Sequence, residues 1–119
     1  MTSRRSFTLA DRVRKRSEYQ RVYAKGQKIS SKSLVLFYLE NGLDRPRLGM
    51  TVTRRTGGAV QRNRTKRLLR EWFRENRGDL PTLDFVVNAR EGIHRMSQEA
   101  LSRELKDVLR RIAARGSKG

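Results

Sequence analysis

The chain contains no cysteine, which excludes disulfides, thiolate catalysis and zinc sites built on thiolates. It has one histidine, His94, beside Arg95 in a segment that reads as a loop. A lone loop histidine is expected to face solvent rather than to catalyse. Acid is scarce, with 12 Asp+Glu against 29 Lys+Arg. The carboxylates are scattered, and no pair stands at metal-coordinating spacing on a common scaffold. No nucleophile can be matched with a base and an orienting partner. No apolar run approaches the roughly 20 residues of a membrane helix, and the basic N-terminus lacks the apolar stretch of a signal peptide. These gaps point away from a free-standing hydrolase and from any membrane role, and toward a soluble, cytoplasmic protein.

What is present is positive charge, unevenly spread. The 119 residues suffice for one domain, able to bury roughly two-thirds of its unfolded surface. Hydrophobic residues are 35% and charged residues 34% of the chain, and the formal net charge is +17. Residues 1–77 hold 21 Lys+Arg and 6 Asp+Glu, a net +15, whereas residues 78–119 hold 8 and 6, a net +2. Such a field draws polyanions and makes their binding salt dependent. Arginines number 22 and lysines 7. Arginine forks suit phosphates and bases, but a genome rich in Arg codons gives the same ratio, so placement of charge decides more.

Residues 1–16 form a basic arm, with Arg4, Arg5, Arg12, Arg14, Lys15 and Arg16 against Asp11 alone. Only Phe7, Leu9 and Val13 can pin it to a core; residues 1–8 and 115–119 are expected to be flexible. Residues 17–25 read as a short helix, with Ser17 as N-cap and Gly26 just past its end. Tyr19, Val22 and Tyr23 share one face of it, as packing for a core or as a platform on which bases stack. Residues 34–39 form an unbroken apolar strand that needs cover on both faces. Residues 48–53 alternate Leu48, Met50, Val52 with Gly49, Thr51, Thr53, a strand with one buried face, expected to pair antiparallel with the first. A shorter strand fits near Lys28 and Ile29, and a further one over 83–89. Ser97 caps a last helix whose apolar stripe is Leu101, Leu105, Val108, Leu109 and Ile112, with Met96 and Leu101 as a hydrophobic staple.

The most telling stretch is 59–77. On a wheel of about 100° per residue, Leu68, Leu69 and Trp72 share one side, with Phe73 at its margin. Asn63, Lys66, Arg67, Arg70, Arg74 and Arg77 share the other. Lys66, Arg70 and Arg74 repel at i,i+4 spacing, which is tolerable if a polyanion lies across the ridge. Gly78 and Pro81 are expected to close this helix. The turn before it, Arg54-Arg55-Thr56-Gly57-Gly58, is basic and open to close approach by a phosphate, though it lacks the spacing of a P-loop.

Gly58 to Arg74, with Arg62-Asn63-Arg64, Lys66-Arg67 and Arg70-Glu71 at its centre, resembles the signature of the bacterial ribonuclease P protein subunit. Four flanking blocks agree in order and spacing: Lys15 to Tyr23, Leu34 to Tyr38, Arg47 to Arg55 and Asp84 to Arg90. The likeness runs from about residue 9 to residue 110. It implies an α+β fold, a single-domain α/β sandwich in the order α-β-β-β-α-β-α. Its four-stranded sheet would carry a left-handed β-α-β connection through the ridge helix, an exception to the usual crossover hand. It implies binding of the large catalytic RNA of ribonuclease P by Arg62, Asn63, Arg64, Lys66, Arg67 and Arg70, with Arg54, Arg55 and Arg74 beside them. It also implies binding of the 5′ leader of precursor tRNA in a cleft lined by Tyr19, Tyr23 and Phe37, with Arg12 and Arg14 at its edge. The RNA would perform the hydrolysis with Mg²⁺ held mainly by itself, and no obligate protein partner is expected. Tyr19 and Tyr23 stand where phenylalanine is frequent, and Phe37 where tyrosine is, so ring stacking survives but a phenolic hydrogen bond from position 37 does not. Gly58 stands where a bulkier polar residue is common in that family, which implies a looser entry to the helix.

Two other readings share the charge. A basic ribosomal protein would copurify with ribosomal subunits rather than with one RNA of a few hundred nucleotides. A helix-turn-helix regulator offers bases mainly the N-terminal end of its recognition helix, not a cationic face along its whole length.

Overall fold

A computed structural model describes residues 9–116; the expectations for 1–8 and 117–119 lie outside the described residues. The elements run α1 (Arg16–Lys25), β1 (Gln27–Ser30), β2 (Leu34–Glu40), β3 (Arg47–Thr51), α2 (Ala59–Asn76), β4 (Leu83–Ala89) and α3 (Gln98–Gly116). This is the α-β-β-β-α-β-α order implied by the resemblance. The four strands make one mixed sheet in the order β1-β2-β4-β3.

The expected antiparallel pairing of β2 with β3 is not found. β4 lies between them, antiparallel to β2 from Leu34↔Ala89 to Glu40↔Leu83, and parallel to β3 from Arg47↔Asp84 to Thr51↔Asn88. The reason is burial. β4 carries four consecutive buried residues, Asp84 to Val87, and such a strand is most stable with a neighbour on each side. The shorter β3, with Gly49 at its middle, takes the edge. Val52, expected within β3, falls just beyond it.

Register divides the sheet into two unequal faces. Ile29, Leu34, Leu36, Tyr38, Leu48, Phe85 and Val87 lie on one. Against it pack Leu68, Leu69, Trp72 and Phe73 of α2 and Leu101, Leu105, Val108 and Ile112 of α3, all in a single buried cluster. Each large side chain there contributes about 1.5–3 kcal/mol by leaving water. The opposite face carries Val35, Phe37, Leu39, Asp84, Val86 and Asn88, with Arg47, Gly49 and Thr51 of β3. Against it packs the ten-residue α1, whose one buried side chain is Val22.

Several ends differ from the sequence reading. α1 begins at Arg16, so Ser17 is not its N-cap. Glu18 does that work, its Oε1 accepting the Arg14 and Lys15 N–H groups at 2.8 and 3.0 Å. Gly26 closes α1 as expected, for lack of room: a Cβ there would sit 2.5 Å from the Val22 carbonyl oxygen and 2.6 Å from that of Tyr38. α2 ends at Asn76 and continues as one 3₁₀ turn, Arg77–Asp79. Gly78 adopts no positive φ and is not the stop. Ser97 caps α3 as expected, its Oγ accepting the Ala100 N–H at 3.0 Å.

Fraying from Arg115 is not found for Arg115 itself. It lies within α3, and its guanidinium donates to the Lys28 carbonyl at 3.1 Å. Arg111 donates to the Ser30 carbonyl at 2.9 Å, so two arginines cover the outer carbonyls of edge strand β1. Glu104 holds the adjoining turn through the Ser31 and Ser33 hydroxyls and the Ser33 N–H.

One ion network ties α1 to the sheet. The buried Asp84 carboxylate accepts a fork from Arg47 Nε and Nη2 at 2.8 and 2.7 Å and a bond from Asn41 Nδ2 at 3.0 Å. Arg47 Nη1 reaches Glu18 Oε2 at 3.2 Å. The Arg14 and Lys15 N–H groups, with further help from Arg47, hold the Glu18 carboxyl at about 2 against the opposing effect of burial. A depressed folded-state value means that its stabilisation is complete above the ordinary 4.5 and is lost as pH falls toward 2. Urea unfolding should therefore find Glu18→Gln less stable than the parent at neutral pH, with a shallower loss across that acid window. Parallel acid limbs in the two proteins would contradict the assignment.

Candidate nucleic-acid interface

α2 sorts its side chains as the wheel predicts, and Phe73, placed at the margin, is fully buried. Outward, Asn63, Arg64 and Arg67 are exposed, and Arg62, Lys66, Arg70 and Arg74 are half-buried. The ridge is less free of acid than the sequence implied. Arg74 pairs with Glu71 and lies 3.8 Å from Glu75. Arg77 pairs with the buried Asp11. Glu71 and Glu75 stand toward the apolar side of the same helix, with Glu71 one turn back from Arg74 and within its reach, whereas Asp11 comes from the N-terminal segment, where no wheel could place it. Arg62 donates to the Gly57 carbonyl at 3.0 Å and Arg64 to the His94 carbonyl at 2.7 Å. These bonds orient two guanidinium groups without neutralising them.

Among the described residues no carboxylate pairs with Lys66, Arg67 or Arg70. Burial pushes the Arg70 guanidinium below its ordinary value, and the charges of Arg12 and Arg67 push it the same way. The cationic centre of the interface is this unanswered middle of the helix.

The basic turn is built firmly. Arg54 and Arg55 are exposed on a 3₁₀ turn, Arg54–Thr56. Thr53 Oγ1 accepts the Arg55 N–H at 3.3 Å, and Thr56 Oγ1 donates to the Thr53 carbonyl at 2.6 Å. Gly57 follows at φ +132°, a conformation that side-chain-bearing residues rarely adopt. The helix then starts at Ala59 with no side-chain cap from Gly58.

The aromatic stripe of α1 splits in two. Val22 enters the core; Tyr19 is half-buried and Tyr23 is 37% exposed. The core reading of both rings is therefore not the structural outcome. Tyr19 lies across the β3 edge, its hydroxyl accepting the Met50 N–H at 3.1 Å. The ring fits only because residue 49 is glycine: a Cβ there would stand 2.9 Å from Tyr19 Cζ. Beside it Arg12 bridges in parallel to Leu48, and the Val13 N–H donates to the Leu48 carbonyl at 3.1 Å. Arg12, Arg14, Tyr19, Lys66 and Arg70 share a cavity of about 390 Å³ with Val13, Leu48 and Met50. The edge of the cleft and the ridge helix, read separately in the sequence, thus meet in one cationic hollow.

Tyr23 stands edge-on to Phe37, centroids 4.8 Å apart and planes at 89°. Its hydroxyl contacts Thr51 Oγ1 at 2.7 Å and Asn88 Oδ1 at 2.8 Å. Thr51 and Asn88 were not singled out in the sequence. Thr51 stands on the polar side of an alternating strand, but Asn88 gains meaning only once β4 is seen beside β3. Val60, 77% exposed on the first turn of α2, was also missed. His94 does not face solvent as expected. It is half-buried in a 3₁₀ turn, Ile93–Arg95, its Nδ1 buried without a partner, while its carbonyl holds Arg64.

Among the described residues no three His, Asp or Glu side chains gather in a way that could hold a metal ion, and no helix is long and apolar enough to cross a membrane. The arrangement presents cations without carboxylate partners beside partly exposed aromatic rings.

Known proteins share this plan. A family model described as Ribonuclease P matches residues 7–113. The ribonuclease P protein component of Syntrophus aciditrophicus is 42% identical over 101 residues, spanning 84% of this chain and 85% of that protein. The solved structure of the Staphylococcus aureus RNase P protein superposes with a TM-score of 0.77 at 31% identity, covering 87% of this chain and 94% of that one. The Thermotoga maritima RNase P protein gives 0.76 at 32% identity, covering 84% and 96%.

Gly49→Ala should push the Tyr19 ring off the β3 edge and destabilise the fold by about 1–3 kcal/mol. Hydrogen exchange at the Met50 amide should quicken most, because its acceptor moves. Unchanged protection at Met50 would show that Tyr19 does not depend on the glycine.

Proposed function

The chain belongs to the ribonuclease P protein family, and from that premise we propose that it is the protein subunit of a ribonuclease P particle, binding a catalytic RNA through α2 and the 5′ leader of precursor tRNA in the cleft under α1. The observation that carries this reading is the run of cations at Lys66, Arg67 and Arg70 that no carboxylate among the described residues answers, on a helix whose other side is locked into the core. Phosphates laid along it relieve the repulsion and release counterions. Arg62, Asn63 and Arg64 extend the contact toward the start of the helix. Arg54 and Arg55 flank it on the preceding turn, and Arg74 contributes less because Glu71 and Glu75 share its charge.

Tyr19, Tyr23 and Phe37 would take leader nucleotides by stacking, with Arg12 and Arg14 on their phosphates. The leader then contributes affinity that the mature product lacks, which favours substrate over product. Mg²⁺ would supply the hydrolytic water and stabilise the leaving oxygen, held mainly by the RNA; the side chains of this chain bind and orient. The enzyme is thus the ribonucleoprotein, an endonuclease that removes the 5′ leader.

Reconstitution tests this directly. Protein mixed with its RNA and Mg²⁺ should cleave precursor tRNA at the mature 5′ end, and protein without RNA should not; robust cleavage by RNA-free protein would overturn the reading. Sequencing the RNA that copurifies with a tagged chain should return one RNA of a few hundred nucleotides, where a ribosomal protein would bring down ribosomal subunits.

The two surfaces should separate under mutation. Arg67→Ala or Arg70→Ala should weaken binding of the catalytic RNA and flatten the slope of log affinity against log salt by about one unit each. Phe37→Ala should spare that binding and cost about 1–3 kcal/mol toward leader-bearing substrate. Loss of leader affinity from Arg67→Ala with catalytic-RNA binding intact would reverse the assignment.

A further inference from the structure

On the open face of the sheet, Val35, Asn88 and Thr51 form one row across β2, β4 and β3. The neighbouring row holds Phe37, Val86 and Gly49. Phe37 and Asn88 are therefore diagonal neighbours on adjacent strands, about 7–8 Å apart and within reach of one base. Tyr23 hangs over both rows.

With the Asn88 oxygen facing the Tyr23 hydroxyl, the hydrogen bonds here run in one direction. Asn88 Oδ1 can only accept, so the single proton of the Tyr23 hydroxyl goes to it across 2.8 Å. The 2.7 Å contact between Tyr23 and Thr51 must then be Thr51 donating to Tyr23. The relay runs Thr51 to Tyr23 to Asn88, with the amide oxygen on the side of α1. Its oxygen is engaged by α1, and its nitrogen points away from that hydroxyl. Among the described residues Asn88 Nδ2 has no hydrogen-bond partner. A half-buried amide on the floor of an aromatic cleft thus keeps two N–H donors unused.

A freely turning asparagine reads adenine with one donor and one acceptor together. Here the acceptor half is occupied, and donors alone face the cleft. Uracil, cytosine and guanine each carry a carbonyl oxygen that can take such a donor. Adenine carries none, and on its Watson–Crick and Hoogsteen edges an amino group stands beside each ring-nitrogen acceptor. We propose that Asn88, held by Tyr23 and Thr51, is a specificity-determining residue that selects a carbonyl-bearing base over adenine at one position of the leader. The proposal rests on the reading of this cleft as the leader site.

The test uses the reconstituted holoenzyme and precursor tRNAs in which each leader position in turn is changed from uridine to adenosine, with a leaderless tRNA as control. At one position uridine should be favoured in kcat/KM by about tenfold. Asn88→Val should bring that ratio to about one. Tyr23→Phe keeps the ring but removes the hydroxyl that turns the amide, and should also collapse the ratio, with the adenosine substrate gaining relative to uridine. A residue that merely supports the fold would weaken both substrates equally and leave the ratio alone. If Asn88→Val does not fold, Tyr23→Phe carries the same comparison by removing one oxygen. A uridine preference that survives both substitutions, or none in the parent while leader-bearing tRNA still outcompetes the leaderless control, overturns the role of Asn88 by itself. Equal treatment of leader-bearing and leaderless tRNA by the parent overturns the leader-site reading along with it.

Discussion

Like charges held together by a hydrophobic anchor govern this molecule. Leu69, Trp72 and Phe73 fix α2 against the sheet on one side, and that burial holds Lys66, Arg67 and Arg70 in a row on the other whether or not they repel. The few acids are used elsewhere. Asp84 and Glu18 answer Arg47, Asp11 answers Arg77, and Glu71 answers Arg74. What remains in the middle of the helix is charge that the fold does not balance. Arg70 is the most constrained member, destabilised as a cation by burial and by Arg12 and Arg67. In the proposed particle a polyanion would supply what the protein leaves out.

The sheet repeats this division between anchor and open surface. One face is covered by two long helices. Against the other packs the short α1, tied down by Val22 and by the Glu18–Arg47–Asp84 network, so Phe37, Thr51 and Asn88 stay within reach of solvent beside Tyr23. The free edge of β3 is not left bare: Arg12, Val13 and the Tyr19 hydroxyl occupy its outward backbone groups. Because those residues also border Lys66 and Arg70, the piece that finishes the sheet joins the two proposed binding surfaces. Two polynucleotides held there would lie side by side over one hollow.

Legibility in the sequence followed the range of the interactions. The amphipathic period of α2, the cap and stripe of α3 and the apolar run of β2 are local patterns, and each appears where it was read. The place of β4 between β2 and β3 is not local; alternation in residues 48–53 marks a half-buried strand without naming its partner. Glu18 capping α1 in place of Ser17 turns on a side chain reaching back three residues, which competes with the simpler cap signal. Ion pairing escaped for the same reason: Asp11 meets Arg77 across 66 positions of chain. Tyr23 was already marked by the shared face of α1, and Phe37 was found through family resemblance, whereas Asn88 acquires a role only from the register that sets it beside Thr51.

The measurement that bears most directly on the central claim is the stability of Arg67→Ala in the absence of RNA. Urea unfolding should find the substituted protein more stable than the parent at low salt, by about 0.2–0.5 kcal/mol for each like-charge neighbour removed, with the difference shrinking as salt screens the ridge. A substitution that destabilises the free protein equally at low and high salt would mean that Arg67 is satisfied within the fold, and the unanswered charge on which the account stands would not exist.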